Sequence, residues 1–278
     1  MSSIEMINKV PDFIRFFEKA EGNNADEAKR WQLWQQYYNF SGMPPGFEAE
    51  ERKQLAEVWK DYQEYYETLK DFTPDTGRIE NYVGETKSIL GVEKDVPFAV
   101  LFFVGGFDGN AAVVPYGEQK ALLILPIETP IADITIAHEL THIIHTAKAE
   151  IPIRWEAPLA ERVMMEGLAM HTSKALVPGR DDTEYIEMGS DGWLESCRNH
   201  HNAIISGIIP YLDDTHGGTN ARFTYGEGTT GHKREVYYAG WAFIASELEK
   251  GVSLEELASI QKDDVPDYVK RHIEDTLI

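Results

Sequence analysis

The segment TPIADITIAHELTHIIHTA (residues 129–147) predicts a long helix around which other parts of the chain pack. Thr129 followed by Pro130 is typical of a helix start, because threonine caps the first turn and proline is tolerated there. Apolar residues then fall on two stripes of the helix: Ile136, Leu140, Ile143 and Ala147 on one, Ile131 and Ile134 on the other. Since a helix that is apolar on nearly all sides is buried, we expect this one in the interior of a domain.

Two histidines in this helix have the spacing of metal ligands. His138 and His142 are four residues apart, so both imidazoles leave the same face of the helix and can hold one ion. Glu139 lies beside the open coordination position that such a site would keep for water, and can take a proton there. A pair of core histidines bonded to backbone carbonyls is the alternative. The intervening glutamate favours a hydrolytic zinc site.

A third ligand is expected on the following helix, over residues 158–170. Positions 159, 163, 166 and 170 share one helical face and read Leu, Val, Glu, Met, so Glu166 interrupts an apolar stripe. A buried carboxylate needs a cation, because it is otherwise costly or forced to protonate. An ion pair with Arg162, one turn earlier, is the competing interpretation. The adjacent Gly167 lacks a side chain and predicts a close approach of a second helix.

These motifs resemble those of the gluzincin metallopeptidases. The matching residues are His138-Glu139-Leu140-Thr141-His142 and, downstream, Glu166-Gly167-Leu168-Ala169. More narrowly, the chain is similar to the predicted zinc-dependent proteases of the DUF2268 family, which carry both motifs. For residues 95–260 the resemblance implies a zincin-like fold and hydrolysis of peptide bonds, with Glu139 as general base. It also implies one Zn²⁺ per chain, held by His138, His142 and Glu166.

The same resemblance gives Tyr237 a role and leaves two roles without a residue. In gluzincin aminopeptidases a tyrosine three residues before a glycine stabilises the oxyanion, and Tyr237 and Gly240 have this spacing. The thermolysin-like enzymes orient the first histidine with an aspartate four residues after the glutamate ligand, where this chain has Met170. The aminopeptidases anchor the substrate amine with Gly-x-Met-Glu-Asn, whereas residues 106–110 read Gly-Phe-Asp-Gly-Asn. Endopeptidase and aminopeptidase activity therefore both stay open.

The whole chain predicts an α+β fold that is predominantly α. Residues 1–94 are expected to form a helical N-terminal region, in which aromatic residues recur at helical spacing and pack in a core. Residues 95–278 are expected to form the zincin-like domain, with a small sheet packed on the active-site helix. Continuous apolar runs predict strands at 98–104 and 120–125. A strand near 110–116 or the one at 120–125 would pair with a substrate backbone, or be an ordinary core strand.

Composition limits the classes of partner. The net charge of −21 over 278 residues disfavours nucleic acid and anionic membrane surfaces, which attract basic patches. No apolar run approaches the roughly 18 residues that span a bilayer, and the N-terminus has no secretory pattern. Cys197 is the single cysteine, which excludes an intramolecular disulfide. We therefore expect a cytoplasmic protein with a peptide or protein substrate and no membrane or nucleic-acid partner.

Three further features have two interpretations each. The glycine- and threonine-rich segment 216–232 is either a mobile flap over the metal or a plain surface loop, and His232 in it is a candidate second oxyanion donor. His145, two turns after His138, belongs either to the core or beside the ligands. Glu156 and Glu161 are weaker candidates than Glu166 for the third ligand. For the whole protein, the alternative to a peptidase is a non-catalytic, zinc-stabilised binding or regulatory module.

Overall fold

The computed structural model describes residues 4–38, 48–117, 120–186 and 192–277. They form a predominantly helical α+β structure with one small sheet, which confirms the predicted class. The strands are β1 (Ile4–Asn8), β2 (Phe98–Phe103), β3 (Ala112–Tyr116) and β4 (Lys120–Pro126). The helices are α1 (Val10–Gly22), α2 (Glu27–Tyr37), α3 (Glu48–Glu57), α4 (Trp59–Lys70), α5 (Thr76–Ile89), α6 (Asp133–Ala149), α7 (Leu159–Leu176), α8 (Asp182–Ile186), α9 (Trp193–Asn199), α10 (His201–Ile208), α11 (Gly217–Thr224), α12 (Glu235–Glu249), α13 (Leu254–Ala258) and α14 (Val265–His272).

The sheet has the strand order β1-β2-β4-β3. β2 and β4 confirm the strands predicted at 98–104 and 120–125, and they occupy the two central positions. Central strands are covered on both faces, which is why both sequences are continuous apolar runs. β1 is an unpredicted strand inside the region expected to be helical. It runs parallel to β2, with Ile4 opposite Phe98, and this partner lies far along the chain.

The contacts of the chain divide it into two units. Unit 1 comprises Met1–Thr76, Pro97–Ala112 and Leu122–Ile131, and unit 2 comprises Gly77–Val96, Val113–Ala121 and Ala132–Ile278. The boundary expected at residue 94 lies within the first segment of unit 2. That segment contains α5, which is tied to α6 because Arg78 donates to Asp133 at 2.8 Å and Lys148 donates to the carbonyl of Leu90.

Unit 1 has an aromatic core, as expected from the spacing of its aromatic residues. The ring of Phe13 lies edge-on to Tyr38 and Tyr62, with centroids 5.4 and 4.8 Å away. The hydroxyl of Tyr38 accepts from the backbone N–H of Val104 at 2.7 Å, and that of Tyr62 donates to the carbonyl of Gly105 at 2.7 Å. Large rings therefore fill the core, and backbone groups satisfy the hydroxyls of these two tyrosines, whereas the indole nitrogens of Trp34 and Trp59 have no hydrogen-bond partner among the described residues.

In unit 2, α6 begins later than predicted. Its N-cap is Ala132 and its first residue is Asp133, so the predicted start at Thr129-Pro130 is wrong. The carboxylate of Asp133 stabilises the first turn, because negative charge is favourable at the positive end of the helix dipole. The rest of the prediction is confirmed, since buried residues lie on more than one side of the helix: Ile136, Ala137, Leu140, Thr141, Ile143, Ile144, His145, Thr146 and Ala149.

α7 and α12 cross at two glycines. A Cβ on Gly167 would lie 2.2 Å from the carbonyl oxygen of Gly240, and a Cβ on Gly240 would lie 2.5 Å from the carbonyl oxygen of Val163. The two backbones therefore touch, which confirms the close approach predicted at Gly167. The crossing holds the first turn of α12, which carries Tyr237, against the part of α7 that carries Glu166.

Candidate metal centre

Three side chains of α6 and α7 bring one ligand atom each to a common point. The Nε2 atoms of His138 and His142 are 3.1 Å apart. Oε2 of Glu166 lies 3.4 Å from Nε2 of His138 and 3.6 Å from Nε2 of His142. Ligand atoms about 2.0–2.1 Å from a tetrahedral zinc are about 3.3–3.4 Å from one another. The three separations therefore fit the three protein ligands of a tetrahedral zinc site.

The burial of these atoms also fits a cation. The side chains of His138, His142 and Glu166 are 17%, 11% and 9% exposed. Oε2 of Glu166 is buried and makes no hydrogen bond with the described residues, which costs about 1–3 kcal/mol or more for a charged group. Burial raises the pKa of Glu166, but the imidazoles of His142 and His138 outweigh it and hold that pKa below its usual range. The carboxylate is thus ionised beside the two imidazoles, while its Oε2 atom has no hydrogen bond from the described residues.

The competing partner for Glu166 is engaged elsewhere. Arg162 donates to the carbonyls of Arg154 and Trp155, both at 3.2 Å, and its guanidinium lies 4.6 Å from the centroid of the Trp155 ring. The competing interpretation, an ion pair between Arg162 and Glu166, is therefore wrong. Glu161, the rival ligand on α7, accepts from Arg154 at 2.7 Å and is already paired.

Glu139 has the protonation behaviour that a general base needs. Burial raises the pKa of Glu139 to about 7, with the His138 imidazole lowering it and the Glu166 charge raising it. A carboxyl group that titrates near neutrality can both accept a proton and give it back. Its place on α6, next to His138, follows from the helical spacing alone.

The charges of Glu166 and Glu139 shift the pKa of Tyr237. Burial raises the pKa of the Tyr237 phenol above its usual range, the charges of Glu166 and Glu139 raise it further, and Arg234 lowers it. The guanidinium of Arg234 lies 3.9 Å from the centroid of the Tyr237 ring. The phenol is therefore protonated at neutral pH and able to donate a hydrogen bond.

The segment 216–232 is more ordered than predicted. It contains α11, whose first turn is capped by Nδ1 of His216 at 3.0 Å from the backbone N–H of Gly218, so a flap or plain loop is the wrong description of Gly217–Thr224. Both ring nitrogens of His232 are engaged, Nε2 with the Ser196 hydroxyl at 3.0 Å and Nδ1 with the Thr230 hydroxyl at 2.8 Å. His232 is thus held between its own loop and α9.

Glu235 is a structural residue that the sequence analysis missed. It is fully buried, and its carboxylate accepts from the backbone N–H groups of Thr229 and Thr230 at 2.9 and 2.8 Å. The two threonine hydroxyls donate to it as well, at 3.2 and 2.6 Å. The carboxylate therefore clamps the loop that leads into α12. A Thr-Thr pair five or six residues before an acidic helix start is the signal that was present in the sequence.

The groups around the ligands differ from the thermolysin-like arrangement. Met170 is buried in an apolar cluster with Tyr185, Leu194 and Trp241, and cannot accept a hydrogen bond from His138 as an aspartate would. His145 is fully buried, and neither of its ring nitrogens has a hydrogen-bond partner among the described residues. Burial lowers the pKa of His145 to about 3, so this imidazole is neutral and belongs to the core.

A second group of potential ligands in unit 2 already contains a cationic side chain. Glu247, His272 and Asp275 bring oxygen and nitrogen atoms close together. Lys250 lies between the two carboxylates, with Nζ 2.8 Å from Glu247 and 2.8 Å from Asp275. The hydroxyl of Tyr268 also donates to Glu247. The lysine ammonium supplies the positive charge here, in contrast to the group around Glu166.

Comparisons with protein-family models, with curated proteins and with solved structures gave no match to this chain. The resemblance to the gluzincins therefore stays a prediction, and the case for a function rests on the residues of the site. Within the described ranges, no helix is both long enough and apolar enough to cross a membrane.

Proposed function

We propose that this chain is a zinc-dependent peptidase. The observation that supports the proposal most directly is the triangle of His138 Nε2, His142 Nε2 and Glu166 Oε2, with sides of 3.1–3.6 Å. Two histidines and one carboxylate are the ligand set of hydrolytic zinc sites that keep an open position, whereas structural zinc sites are usually closed by four protein ligands. The proposal includes one Zn²⁺ per chain and a peptide or protein substrate.

The chemistry divides between the ion and the side chains. A bound zinc ion supplies a water whose pKa is lowered toward neutrality and polarises the carbonyl group of the substrate. Glu139, with a pKa raised by burial to about 7, takes the proton as the water attacks and then delivers it to the leaving amine. Tyr237 donates a hydrogen bond to the carbonyl oxygen as negative charge develops there.

The arrangement of the helices supports these roles. Glu139 and the two histidines share one helix, so their relative positions follow from its periodicity. Glu166 and Tyr237 are on separate helices, and the contact between Gly167 and Gly240 sets the distance between them. We include in this proposal that residues 95–278 have a zincin-like fold.

The edge strand β3 is the element best suited to bind an extended substrate. It is the outermost strand next to β4, and from Val113 onward it belongs to the same unit as α6. An edge strand has unpaired backbone groups that can pair with an added peptide strand. Pro115 removes one donor from β3, which limits the pairing to the remaining N–H groups.

A cleavage screen with metal analysis tests the proposal. Wild-type protein purified without chelators is expected to carry about one zinc per chain and to cleave a peptide mixture followed by mass spectrometry. Glu139→Gln should keep the zinc and lose hydrolysis by roughly 10²–10⁴-fold, because only the proton transfer is removed. Retained zinc without any cleavage by the wild type would favour the non-catalytic module instead.

The ligand assignment has its own control. Glu166→Ala should lose bound zinc, since it removes one of three protein ligands. Glu161→Ala removes a carboxylate from the same helix that is paired with Arg154, and should retain the metal. A full equivalent of zinc in Glu166→Ala would refute the assignment.

A further inference from the structure

Arg234 is the arginine of unit 2 whose guanidinium has neither a hydrogen bond nor an ion pair with another described residue. The other arginines of this unit each bond a carboxylate or a carbonyl: Arg78, Arg154, Arg162, Arg180, Arg198, Arg222 and Arg271. The five N–H donors of Arg234 are therefore free of the other described residues, and a guanidinium matches carboxylates and other anions. It has the capacity to bind an external anion.

The position of Arg234 connects it with the candidate metal centre. Its guanidinium lies 3.9 Å from the centroid of the Tyr237 ring, which is a cation–π contact. Tyr237 in turn lies within electrostatic reach of Glu166 and Glu139. An anion bound by Arg234 would therefore lie near Tyr237, the residue to which we assign the contact with the oxyanion.

The backbone of Arg234 is held in place by its surroundings. Its φ of 62° and ψ of 36° are in the left-handed region, which costs free energy in a residue other than glycine. The backbone N–H donates to the carbonyl of Gly226 at 3.1 Å, and the carbonyl accepts from the N–H of Tyr237 at 3.0 Å. The next residue, Glu235, clamps Thr229 and Thr230. Strain that is maintained in this way is typical of functional sites.

We propose that Arg234 binds a carboxylate of the substrate close to the bond that is cleaved. This inference rests on the proposed peptidase function and names the substrate class, a peptide with a negative charge near the scissile bond. A guanidinium matches a carboxylate because its planar fork can donate two parallel hydrogen bonds. The carboxylate has two possible sources, the C-terminus of a short peptide or the side chain of an acidic residue.

A purely structural role for Arg234 makes a different prediction. If the guanidinium only packs on the ring of Tyr237, its removal affects every substrate to the same extent, charged or not. If it binds a carboxylate, its removal affects acidic peptides alone. The two roles are therefore separated by the difference between matched acidic and neutral peptides.

Binding is measured in zinc-loaded Glu139→Gln, so that peptides are not consumed. One pair of probes is acetyl-Phe-Ala-Ala with a free C-terminus and the same peptide with a C-terminal amide. The second pair is acetyl-Phe-Ala-Glu-amide and acetyl-Phe-Ala-Gln-amide. Dissociation constants are determined by calorimetry in this parent and after adding Arg234→Gln, Arg234→Lys or Arg180→Gln. Arg180→Gln is the charge-matched control, because Arg180 pairs with Glu184 at the surface of the same unit.

We expect the acidic member of one pair to bind about tenfold or more tightly in the parent, and the pair with this preference identifies the source. Arg234→Gln should abolish the preference that depends on Arg234 and leave the neutral peptide unchanged, whereas Arg180→Gln should change neither. Equal weakening of acidic and neutral peptides, or no binding of any probe, would overturn the proposal. If Arg234→Gln loses zinc or does not fold, Arg234→Lys provides the test instead. Weaker binding of the acidic peptide alone would support the proposal, and equally weaker binding of the acidic and neutral peptides would contradict it.

Failure of this inference differs from failure of the proposed function. Cleavage by the wild type without an Arg234-dependent preference refutes the carboxylate site and leaves the peptidase. An Arg234-dependent preference without any cleavage by the wild type refutes the peptidase and leaves a site for anionic peptides.

Discussion

The two units differ in how their buried polar atoms are grouped: both contain such atoms without a hydrogen bond among the described residues, but in unit 2 three potential metal ligands meet at one point. In unit 1 the interior consists of large aromatic rings, and the hydroxyls of Tyr38 and Tyr62 are satisfied by backbone groups of Val104 and Gly105. In unit 2 the central helices contain polar atoms without hydrogen-bond partners among the described residues, including Oε2 of Glu166 and both ring nitrogens of His145.

This difference between the cores separates a unit that is stabilised by apolar burial from a unit that contains the candidate metal ligands. Aromatic burial stabilises unit 1 through buried area and ring contacts, and its described residues include no group of three potential metal ligands. Unit 2 keeps an ionised carboxylate and two imidazoles around one point, at a cost in stability that a divalent cation would offset. The two glycines at the crossing of α7 and α12 make room for this arrangement.

The largest expected effect on stability is in the core of unit 1. Phe13→Ala removes a fully buried ring that contacts Tyr38 and Tyr62, and should lower the free energy of unfolding by about 3–5 kcal/mol. Zinc affinity of the folded protein should be unchanged, because no ligand is touched. Urea unfolding measures the first quantity and competition with a fluorescent chelator the second. A parallel loss of zinc affinity would break the contrast between the units.

A smaller effect is expected at the helix crossing of unit 2. Gly167→Ala places a methyl group 2.2 Å from the carbonyl oxygen of Gly240, so α7 and α12 must separate, at a cost of about 2–3 kcal/mol. Hydrolysis should fall as well, because Tyr237 moves away from Glu166. Gly84→Ala on α5 is the matched control. It meets nothing within 4 Å and should stabilise by up to about 1 kcal/mol through helix propensity. Equal thermal shifts of both variants in the same direction would contradict the close crossing.

The smallest of these effects concerns pH. His171 is buried, donates from Nε2 to the carbonyl of Trp241 at 2.9 Å and stacks on its ring. Burial lowers the pKa of His171 from 6.5 to about 4, so below pH 6.5 the unfolded chain takes up a proton that the folded chain does not. Stability should therefore fall as the pH falls from about 6.5 toward 4, by roughly 2 kcal/mol at pH 5 for this residue.

The control for this effect is His171→Gln, which can still donate to the carbonyl but does not titrate. Urea unfolding of metal-free protein at pH 7.5 and pH 5 should show a smaller loss of stability in the variant than in the wild type. The same loss in both proteins would show that the proton uptake occurs at other groups.

Much of the candidate site could be predicted because its signals are local. A spacing of four residues puts His138 and His142 on one helical face in any context, and Glu139 follows from the same geometry. Glu166 was predicted from its place in an apolar stripe, and Gly167 from the side chain that it lacks. The strands β2 and β4 were equally clear, since strands covered on both faces are continuously apolar.

Features that depend on contacts between distant segments could not be predicted. β1 pairs with β2, a strand far along the chain, and its own five residues carry little signal. Asp133 at the start of α6 accepts from Arg78 of α5, and Asn220 of α11 donates to the carbonyl of Ala157 at 3.0 Å. The spacing of residues within one segment does not indicate which distant residues that segment contacts.

For the candidate metal centre, the sequence alone determined the types of the potential ligands and the helical face of the two histidines, because the period of a helix is a property of the backbone. The tertiary structure decided that these atoms meet within 3.6 Å, since this requires α6 and α7 to pack side by side. It also decided that Tyr237 is within electrostatic reach of Glu166, and that the guanidinium of Arg234 packs on the Tyr237 ring without a hydrogen bond or ion pair from another described residue. Such relations are set by the close crossing of α7 and α12 at Gly167 and Gly240, a long-range contact that no single segment encodes.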